Sequence, residues 1–539
     1  MIERQDYLVE RRKKLKTPEF NLLDEKWIKV LQQDCSEKMV SLTEVLIYAH
    51  EYRDLCGDTP EQDIAVLRLL LAVLHTVFSR VDHEGQTNRI DSERTARKRW
   101  RTLWEKGYFK EEVIQSYLEQ YRERFWLFHD LYPFWQIPEA SIGTEYTVAK
   151  LNGELSESGN KTRLFPLRNG IKKQKMEYAE AARWLLYVNA YDDTSAKPKG
   201  KGLPSPGVGW LGKLGLIEAV GDNLFQTLML NLTLLKDGIS CWEGENKPIW
   251  ECEPSKQERR EITVPDNPAE LLTVQSRRLL LKRDHDNVVG YYLLGGDFFD
   301  KNLAYAEQMT VWREVKEKDR KFFTPRRHDP SRQMWRDFGS IFVNKEDHIP
   351  GIVSWYDTVA VEMNWENQII RFRIVSVQYG DKDFFVNDTF SDSLTFHGEL
   401  ILEKSAEWQL TIMEEIRKCE EVGEAIGSLE ENLARAEGRK ADIIGAKAQW
   451  YNRIDQPFRK WLMEISPKTK EEEESKKIEE IIKKIGKELG REMFSGTGPT
   501  AFVGRNVIGD DKKKNEKDQY FASPKAYNWF LGKLYKIYH

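Results

Sequence analysis

The chain has 539 residues, of which 40% are hydrophobic and 32% are charged, and its formal net charge is −5. This length and composition predict a globular protein of about three domains, each able to bury a core. The acidic balance argues against a chain that binds nucleic acid tightly by itself. We therefore expect any such contact to use local basic loops and to be shared with partner subunits.

Secretion, membrane and disulfide signals are weak. The N-terminal stretch "MIERQDYLVERRKKLK" is charged and has no apolar h-region, unlike a secretory signal. The longest apolar patch, residues 65–78, is interrupted by Arg68 and His75, and it predicts a helix buried on most sides rather than a membrane span of about 18 residues. The five cysteines form no CxxC pair, which supports neither a zinc ribbon nor a disulfide framework. We expect a cytoplasmic protein without a metal or a cofactor.

The N-terminal third predicts a strand followed mainly by helices. "FNLLDEKWIKV" (20–30) predicts a strand with a turn. Residues 59–81 predict a helix with Thr59 as its N-cap and proline at its first position. Residues 90–130 are expected to continue as helix. The aromatic block "RFWLFHDLYPFWQIP" (124–138) favours a buried helix end docked onto a core.

The middle of the chain alternates ordered elements with one long irregular segment. Residues 177–191 predict a helix, whereas "DDTSAKPKGKGLPSPGVGWLGKLG" (192–215) is too rich in glycine and proline for a helix interior or a central strand. A loop of this length is usually functional or disordered. Residues 223–235 predict an apolar helix, and "YGDKD" (379–383) between two β-rich arms predicts a hairpin turn.

From about residue 400 apolar residues recur at helical spacing to the end of the chain. Four amphipathic helices are expected, over 408–433, 443–462, 478–489 and 523–538. Charged linkers join them, which is typical of a four-helix bundle. We predict an α+β protein, with a large mixed α/β N-terminal domain over residues 1–400 and a C-terminal four-helix bundle over residues 401–539.

Signals for catalysis are few. "HDP" (328–330) and "DHD" (284–286) occur in metal-phosphodiesterase motifs, but their flanks are charged and loop-like, whereas such a site needs several His and Asp residues to converge on the metal. The sequence has no GxxxxGK[ST] phosphate loop and no GxSxG motif. Two hypotheses stay open: a binding subunit without catalytic activity, and a cytosolic metal-dependent phosphohydrolase that uses the HDP and DHD residues.

The segment "AKPKGKG" (196–202) combines glycine with lysine. Glycine lets a backbone approach a nucleic-acid groove closely because it has no Cβ, and lysine neutralises phosphate charge. A solvated, disordered loop has the same composition. The residues alone therefore leave both interpretations open.

Two blocks resemble the N-terminal signature of one family. "NLLDEKWIKV" (21–30), the apolar helix at 67–75 and "PFWQ" (133–136) are similar to motifs of the CasA family, the large subunit of the type I-E CRISPR surveillance complex called Cascade. The segment 295–313 and the four C-terminal helices also resemble that family. The similarity covers essentially the whole chain.

The resemblance implies a non-enzymatic, DNA-binding and RNA-binding subunit in antiviral defence. Such subunits recognise a short protospacer-adjacent motif (PAM) in double-stranded DNA, start strand separation for R-loop formation and help recruit a separate Cas nuclease-helicase. Base pairing with the CRISPR RNA reads the rest of the target. The implied partners are the CRISPR RNA, the target DNA, the nuclease-helicase, and the backbone, 5′-handle-binding and small subunits of Cascade.

The resemblance also implies where nucleic acid is bound. The family's glycine loop matches "KPKGKG" (197–202), which assigns close backbone approach to Gly200 and Gly202. Lys199 and Lys201 lie beside them. The first candidate site is therefore a loop in which backbone and positive charge face the duplex together.

The family's wedge hairpin, which inserts beneath the first base pair, matches "YGDKDFF" (379–385). Its tip is Gly380, Asp381, Lys382 and Asp383, where many members carry glutamine. We expect Gly380 to set the turn, and both aspartates to cap it through the local backbone.

Two further family elements fall on less similar segments. The lysine finger should lie within "GGDFFDKN" (295–302), where Lys301 is near the aligned point but not at it. A loop that the family seats against the 5′ end of the guide RNA and neighbouring subunits matches "RLFPLRNG" (163–170). Its candidate residues are Phe165, Arg168 and Asn169.

Overall fold

The computed structural model describes residues 17–538, except for 153–173, 196, 198–201, 318–319, 344–347, 366–367, 467 and 508–518. The chain divides into two compact units. The first holds the described residues of 1–332, 340–365 and 371–393, and the second holds those of 333–339, 366–370 and 394–539.

The helices and strands confirm the predicted α+β class. The helices are α1 (Leu42–Ile47), α2 (Pro60–Arg80), α3 (Glu93–Lys106), α4 (Glu111–Gln120), α5 (Val148–Leu151), α6 (Tyr178–Tyr191), α7 (Leu224–Asn231), α8 (Pro268–Leu272), α9 (Phe338–Phe342), α10 (Gly351–Glu362), α11 (Ala406–Glu437), α12 (Ile443–Glu464), α13 (Glu471–Ser495), α14 (Pro499–Val503) and α15 (Ser523–Tyr538).

The strands are β1 (Glu19–Asn21), β2 (Ile28–Gln32), β3 (Glu37–Val40), β4 (Tyr52–Leu55), β5 (Trp126–Phe128), β6 (Thr144–Thr147), β7 (Leu216–Val220), β8 (Arg277–Asp284), β9 (Asn287–Gly295), β10 (Trp312–Glu317), β11 (Arg320–Pro325), β12 (Ile369–Tyr379), β13 (Val386–His397), β14 (Arg505–Val507) and β15 (Gln519–Phe521). They form small sheets in the orders β1-β5, β3-β2-β4, β6-β9-β8, β13-β12-β7, β10-β11 and β14-β15.

The sequence predicted a buried helix end for the aromatic block at 124–138. This prediction is wrong, because part of the block forms a strand. Strand β5 begins at Trp126 and pairs with β1, so that Glu19 lies opposite Phe128. Helix α4 has already ended at Gln120. The β-forming aromatic residues gain a pairing partner about 100 residues away, and this tertiary contact overrides the predicted local helix. The strand that leads into the "NLLDEKWIKV" motif thus pairs with the strand that precedes the "PFWQ" motif.

Helix α2 is the buried helix that the sequence predicted. The Thr59 hydroxyl caps its N-terminus by accepting a hydrogen bond from the Gln62 amide, and Pro60 occupies its first turn. Among the described residues it is the one helix with the length and apolarity of a membrane span, but 89% of its most apolar window is buried inside the structure. Its burial is that of a core helix.

A buried ion pair joins α2 to the segment that follows Lys301. The Arg68 guanidinium donates two hydrogen bonds to the Glu307 carboxylate, at 2.8 and 2.9 Å. The two side chains are only 2% and 1% exposed. The Trp210 indole also donates to Glu307, at 3.0 Å. The end of the glycine-rich segment is therefore fixed to the core through one carboxylate.

The second unit contains the four long helices that the sequence predicted. Helix α11 packs against α12, α13 and α15. The buried Trp450 indole on α12 donates to the Cys419 carbonyl on α11, at 3.1 Å. Gly490 on α13 allows close contact, because a Cβ there would lie 2.2 Å from the Phe530 ring on α15.

Arg68→Met is expected to lower the free energy of unfolding by about 3–5 kcal/mol, because the Glu307 carboxylate would stay buried without its cation. Arg68→Met/Glu307→Gln removes both charges and keeps an acceptor for Trp210, so we expect it to be more stable than the single variant by at least about 1 kcal/mol. Urea unfolding followed by circular dichroism measures both. A double variant less stable than the single one would contradict this assignment.

Candidate nucleic-acid interface

One buried guanidinium holds the glycine-rich segment at two points. Arg277, at the start of β8, donates from Nε to the Asp192 carboxylate at 2.5 Å and from Nη2 to the Gly207 carbonyl at 2.6 Å. The Lys197 ammonium lies 2.9 Å from the same carboxylate. Gly202 lies between these anchors and is exposed. The segment is therefore an anchored loop and not a free linker.

The charges at these anchors are matched within the protein. Burial alone would raise the pKa of Asp192, but Lys197, Arg277 and Lys150 outweigh burial and lower that pKa to about 2. The neighbouring Asp193 carboxylate pairs with the Lys150 ammonium. Burial lowers the pKa of Lys197, and Asp192 opposes this effect. Asp192 thus stays ionised throughout the physiological range and holds the loop by charge.

The predicted hairpin is confirmed, because β12 and β13 are neighbours in one sheet and residues 381–383 form the turn between them. The prediction that Gly380 sets the turn is wrong, since its φ is −71°. The left-handed residues are Lys382 and Asp383, with φ of 53° and 60°. Gly380 is needed for another reason: a Cβ there would lie 2.6 Å from the Phe385 ring.

The Asp383 carboxylate does not cap the turn through the local backbone as predicted. It accepts two hydrogen bonds from the Arg327 guanidinium, at 2.9 and 3.0 Å. Arg327 also donates from Nε to the Gly212 carbonyl, at 2.6 Å. A long-range cation therefore satisfies this aspartate and fixes the turn to the glycine-rich segment.

Contacts through Thr194 and Tyr379 join the same two elements. The Thr194 amide donates to the Asp383 carbonyl at 2.9 Å, and its hydroxyl donates to the Lys382 carbonyl at 2.8 Å. The Tyr379 hydroxyl donates to the Tyr191 carbonyl at 2.7 Å. The structure thus brings the start of the glycine-rich segment and the hairpin tip into one hydrogen-bonded assembly.

Lys301 lies in a short 3-10 turn near this assembly. Partial burial lowers its pKa, as do the cations Arg313 and Arg327, whereas Asp383 raises it. Lys213 is more perturbed. Burial together with the positive charges of Arg277, Lys301, Arg259 and Arg327 lowers its pKa to about 8.

Lys213, Arg259 and Arg277 line one cavity with Gly207. Two nearby carboxylates are already engaged, because Asp192 is bound to Arg277 and Asp297 is bound to Arg260 and Arg278. Positive charge therefore collects beside the glycine-rich segment, and these two acidic groups are bound to arginines rather than to Lys213.

The described residues include part of the predicted site. Gly202, Lys301 and the tip from Gly380 to Asp383 belong to the first unit. The other candidate positions lie outside the described residues: Phe165, Arg168, Asn169, Lys199, Gly200 and Lys201.

His328 and Asp329 of the HDP motif make structural contacts within the fold, and His285 of the DHD motif lies at the surface. The buried His328 ring meets the Leu216 carbonyl at 2.9 Å, and Asp329 accepts hydrogen bonds from Ser331. His285 sits in the turn between β8 and β9 and is 88% exposed. In the part of the chain that the structure describes, no group of three or more His, Cys, Asp or Glu is placed to hold a metal.

The family match covers most of the chain. The family model described as CRISPR-associated protein Cse1 matches residues 21–493. The chain belongs to this Cse1 family. The CasA resemblance seen in the N-terminal motifs is confirmed, since a curated relative carries the joint description CRISPR-associated protein CasA/Cse1.

That relative, from Thermus thermophilus, is 33% identical over 235 residues, which are 44% of this chain and 42% of the relative. The alignment thus spans less than half of the relative. The crystal structure of Thermobifida fusca Cse1 is similar with a TM-score of 0.81 and 28% identity, over 96% of this chain and 98% of that one. A structure titled CRISPR RNA-guided surveillance complex shares the fold, with a TM-score of 0.71 and 16% identity over 96% and 100% of the two chains.

The residues that organise the site in this Cse1 family member carry little signal in the sequence. Arg277 and Arg327 cannot be recognised from local patterns, because each meets its carboxylate across a long stretch of chain, 85 and 56 residues respectively. Thr194 was not predicted either. Its position two residues before the "AKPKGKG" run is the one sequence signal that marks it as an anchor.

Lys213→Met in this Cse1 protein is expected to raise stability at pH 7. A folded pKa of about 8, below the ordinary value of 10.5, means that folding disfavours the charged form. The penalty is present in full below pH 8 and fades as the pH rises to 10.5; it amounts to roughly 3 kcal/mol. Thermal unfolding of variant and parent between pH 7 and 10.5 measures it. Lys382→Met, on the exposed tip, is the control, and an equal gain at both pH values would contradict a charge effect.

Proposed function

We propose that this protein is a non-catalytic, cytoplasmic subunit of a CRISPR RNA-guided Cascade complex. It recognises the PAM in double-stranded DNA, starts strand separation and helps recruit the nuclease-helicase. One observation carries the proposal: Thr194 and Arg327 fasten the hairpin tip to the glycine-rich segment. The segment proposed to contact the duplex and the hairpin tip proposed to separate its strands are thereby held together.

The tip is suited to opening a base-pair step. Asp381 and Lys382 are exposed, and the Phe384 side chain is 37% exposed. Opening one step costs a few kcal/mol, which an inserted apolar wedge offsets by filling the gap. The ion pair between Arg327 and Asp383 keeps the tip in place when it contacts the duplex. Lys382 supplies a cation for the phosphates of the separated strands.

The glycine-rich segment supplies close backbone approach. Gly202 has a φ of +76°, and a Cβ built there meets nothing within 4 Å. Its requirement for glycine is therefore conformational and not a matter of packing within the chain. An exposed left-handed glycine between fixed anchors can present its backbone to a minor groove, where readout is degenerate and depends on groove width.

Partners share the grip on nucleic acid. The chain carries a net charge of −5, and Arg277 and Arg327 are paired to carboxylates inside the protein. Neither of these two guanidinium groups is left free to bind phosphate. We propose that the CRISPR RNA and the backbone, 5′-handle-binding and small subunits supply the remaining affinity, with sequence read by base pairing.

Deleting tip residues 381–384 is expected to reduce R-loop formation by the assembled complex on the order of 100-fold, because the cost of opening a step is no longer offset. Lys382→Ala removes one phosphate contact and should reduce it by roughly three- to tenfold. Gel mobility of R-loops measures both, with Gln378→Ala on the exposed face of β12 as the control.

A target already mismatched beside the PAM should restore binding to the tip deletion, since its strands need no wedge. If this pre-opened target restores nothing, the hairpin is a structural arm of its unit and strand separation belongs elsewhere.

Gly202→Val is expected to lower PAM-dependent binding while the fold stays intact. The left-handed φ costs a β-branched residue about 1–2 kcal/mol, so the loop should leave its conformation. Gly207→Ala is the control in the same segment. A Cβ at Gly207 would lie 3.8 Å from the Lys213 side chain, an ordinary contact distance, so this substitution should be tolerated. DNA binding at matched salt measures both variants. If Gly202→Val binds like the parent, the backbone at Gly202 does not approach the duplex.

A further inference from the structure

Helix α3 displays a row of cations that the proposed site does not use. Arg94, Arg97, Lys98 and Arg101 follow each other at spacings of three, one and three residues, which places them on one face. The opposite face is fixed in the core by Trp100, whose indole donates to the Met229 carbonyl at 2.8 Å. The helix therefore cannot rotate its cationic face away from solvent.

This face lines an open groove of about 1070 Å³. Its other wall includes Ser240, Cys241 and Glu362. The described lining contains no large apolar side chain. Protein interfaces usually have an apolar or aromatic centre, whereas nucleic-acid interfaces are polar and positive. The lining of this groove is polar and positive, like that of a nucleic-acid interface.

The groove keeps excess positive charge. Glu93 lies 3.4 Å from Arg97, and Glu362 lies 2.8 Å from Arg101. Arg94 and Lys98 are exposed, and no ion pair is recorded for either among the described residues. Two of the four cations are therefore available to a ligand, in a chain whose net charge is −5.

We propose that this groove binds the phosphodiester backbone of duplex DNA, without reading its bases. From Arg94 to Arg101 the helix rises about 10 Å, which matches about three successive phosphates of one strand at 3.4 Å each along the duplex axis. The groove shares no residue with the glycine-rich segment or the hairpin tip. It adds a second contact to the proposed function, and it holds DNA during the search for a PAM.

The double variant Arg94→Gln/Lys98→Gln tests the groove with the full-length chain and a duplex that lacks a PAM. Glutamine keeps the helix propensity and removes both charges. The matched control is Lys316→Gln/Lys321→Gln on the β10–β11 hairpin, because both lysines are exposed and lie within 3.6 Å of the Glu314 carboxylate. Thermal midpoints verify that both variants fold like the parent.

For the parent we expect a shallow salt dependence, equivalent to about two to four neutralised phosphates. The α3 double variant should lose about two of these, and its affinity at 0.1 M salt should fall at least tenfold. The loss should be the same for duplexes with and without a PAM. The control variant should keep the affinity and slope of the parent.

Three results would overturn the proposal. The first is an unchanged salt slope, and the second is a loss confined to PAM-containing duplex, which would assign α3 to sequence reading. The third is normal DNA binding with failure to join the assembled complex, which would make the groove a protein interface. The comparison uses DNA without a PAM, so absence of PAM recognition in the parent would contradict the proposed function and leave this test intact.

Discussion

The Arg277–Asp192 pair is the interaction on which the candidate interface depends. A glycine-rich segment loses much conformational entropy when it is ordered, so it keeps one position only if its ends are fixed. A single guanidinium limits this freedom by holding Asp192 at the start of the segment and the Gly207 carbonyl within it. The pair is buried, and a buried charge is tolerated only when its partners are complete. Lys197 completes the set around the carboxylate.

The second anchoring cation, Arg327, connects the hairpin tip to the glycine-rich segment. It binds Asp383 on the hairpin tip and the Gly212 carbonyl on the glycine-rich segment. A Cβ on Gly212 would lie 2.1 Å from the Tyr379 hydroxyl, so glycine is required there for contact between the two elements. Part of the glycine content of this segment therefore serves packing against the hairpin, and another part, represented by Gly202, serves exposed backbone. The same residue type has two physical roles within a short stretch.

Sequence reasoning predicted what local chemistry decides. Capping residues predicted the Thr59 cap, apolar periodicity predicted the four C-terminal helices, and turn composition predicted the hairpin between β12 and β13. The predictions failed where a residue distant in the chain determines the structure. Trp126 forms a strand because it pairs with β1, and Asp383 binds Arg327 instead of capping the local turn. Helix α7 also ends at Asn231, earlier than predicted, where the Asn231 amide bonds the Ala219 backbone. No pattern in one sequence reveals these partners.

The distribution of charge at the candidate interface fits the proposed role in PAM recognition. Each phosphate contact raises affinity for every DNA sequence alike, so contacts of this kind lower the relative weight of base readout. Arg277 and Arg327 lie at the candidate interface, yet both are neutralised by carboxylates and act on the protein's own loops. The positive charge of Lys213, beside this interface, is partly buried, and its pKa is lowered by burial and by neighbouring cations. The candidate interface thus uses these two arginines for rigidity. Under the proposed function, a rigid and weakly charged surface would discriminate between DNA sites by shape and would leave incorrect sites quickly.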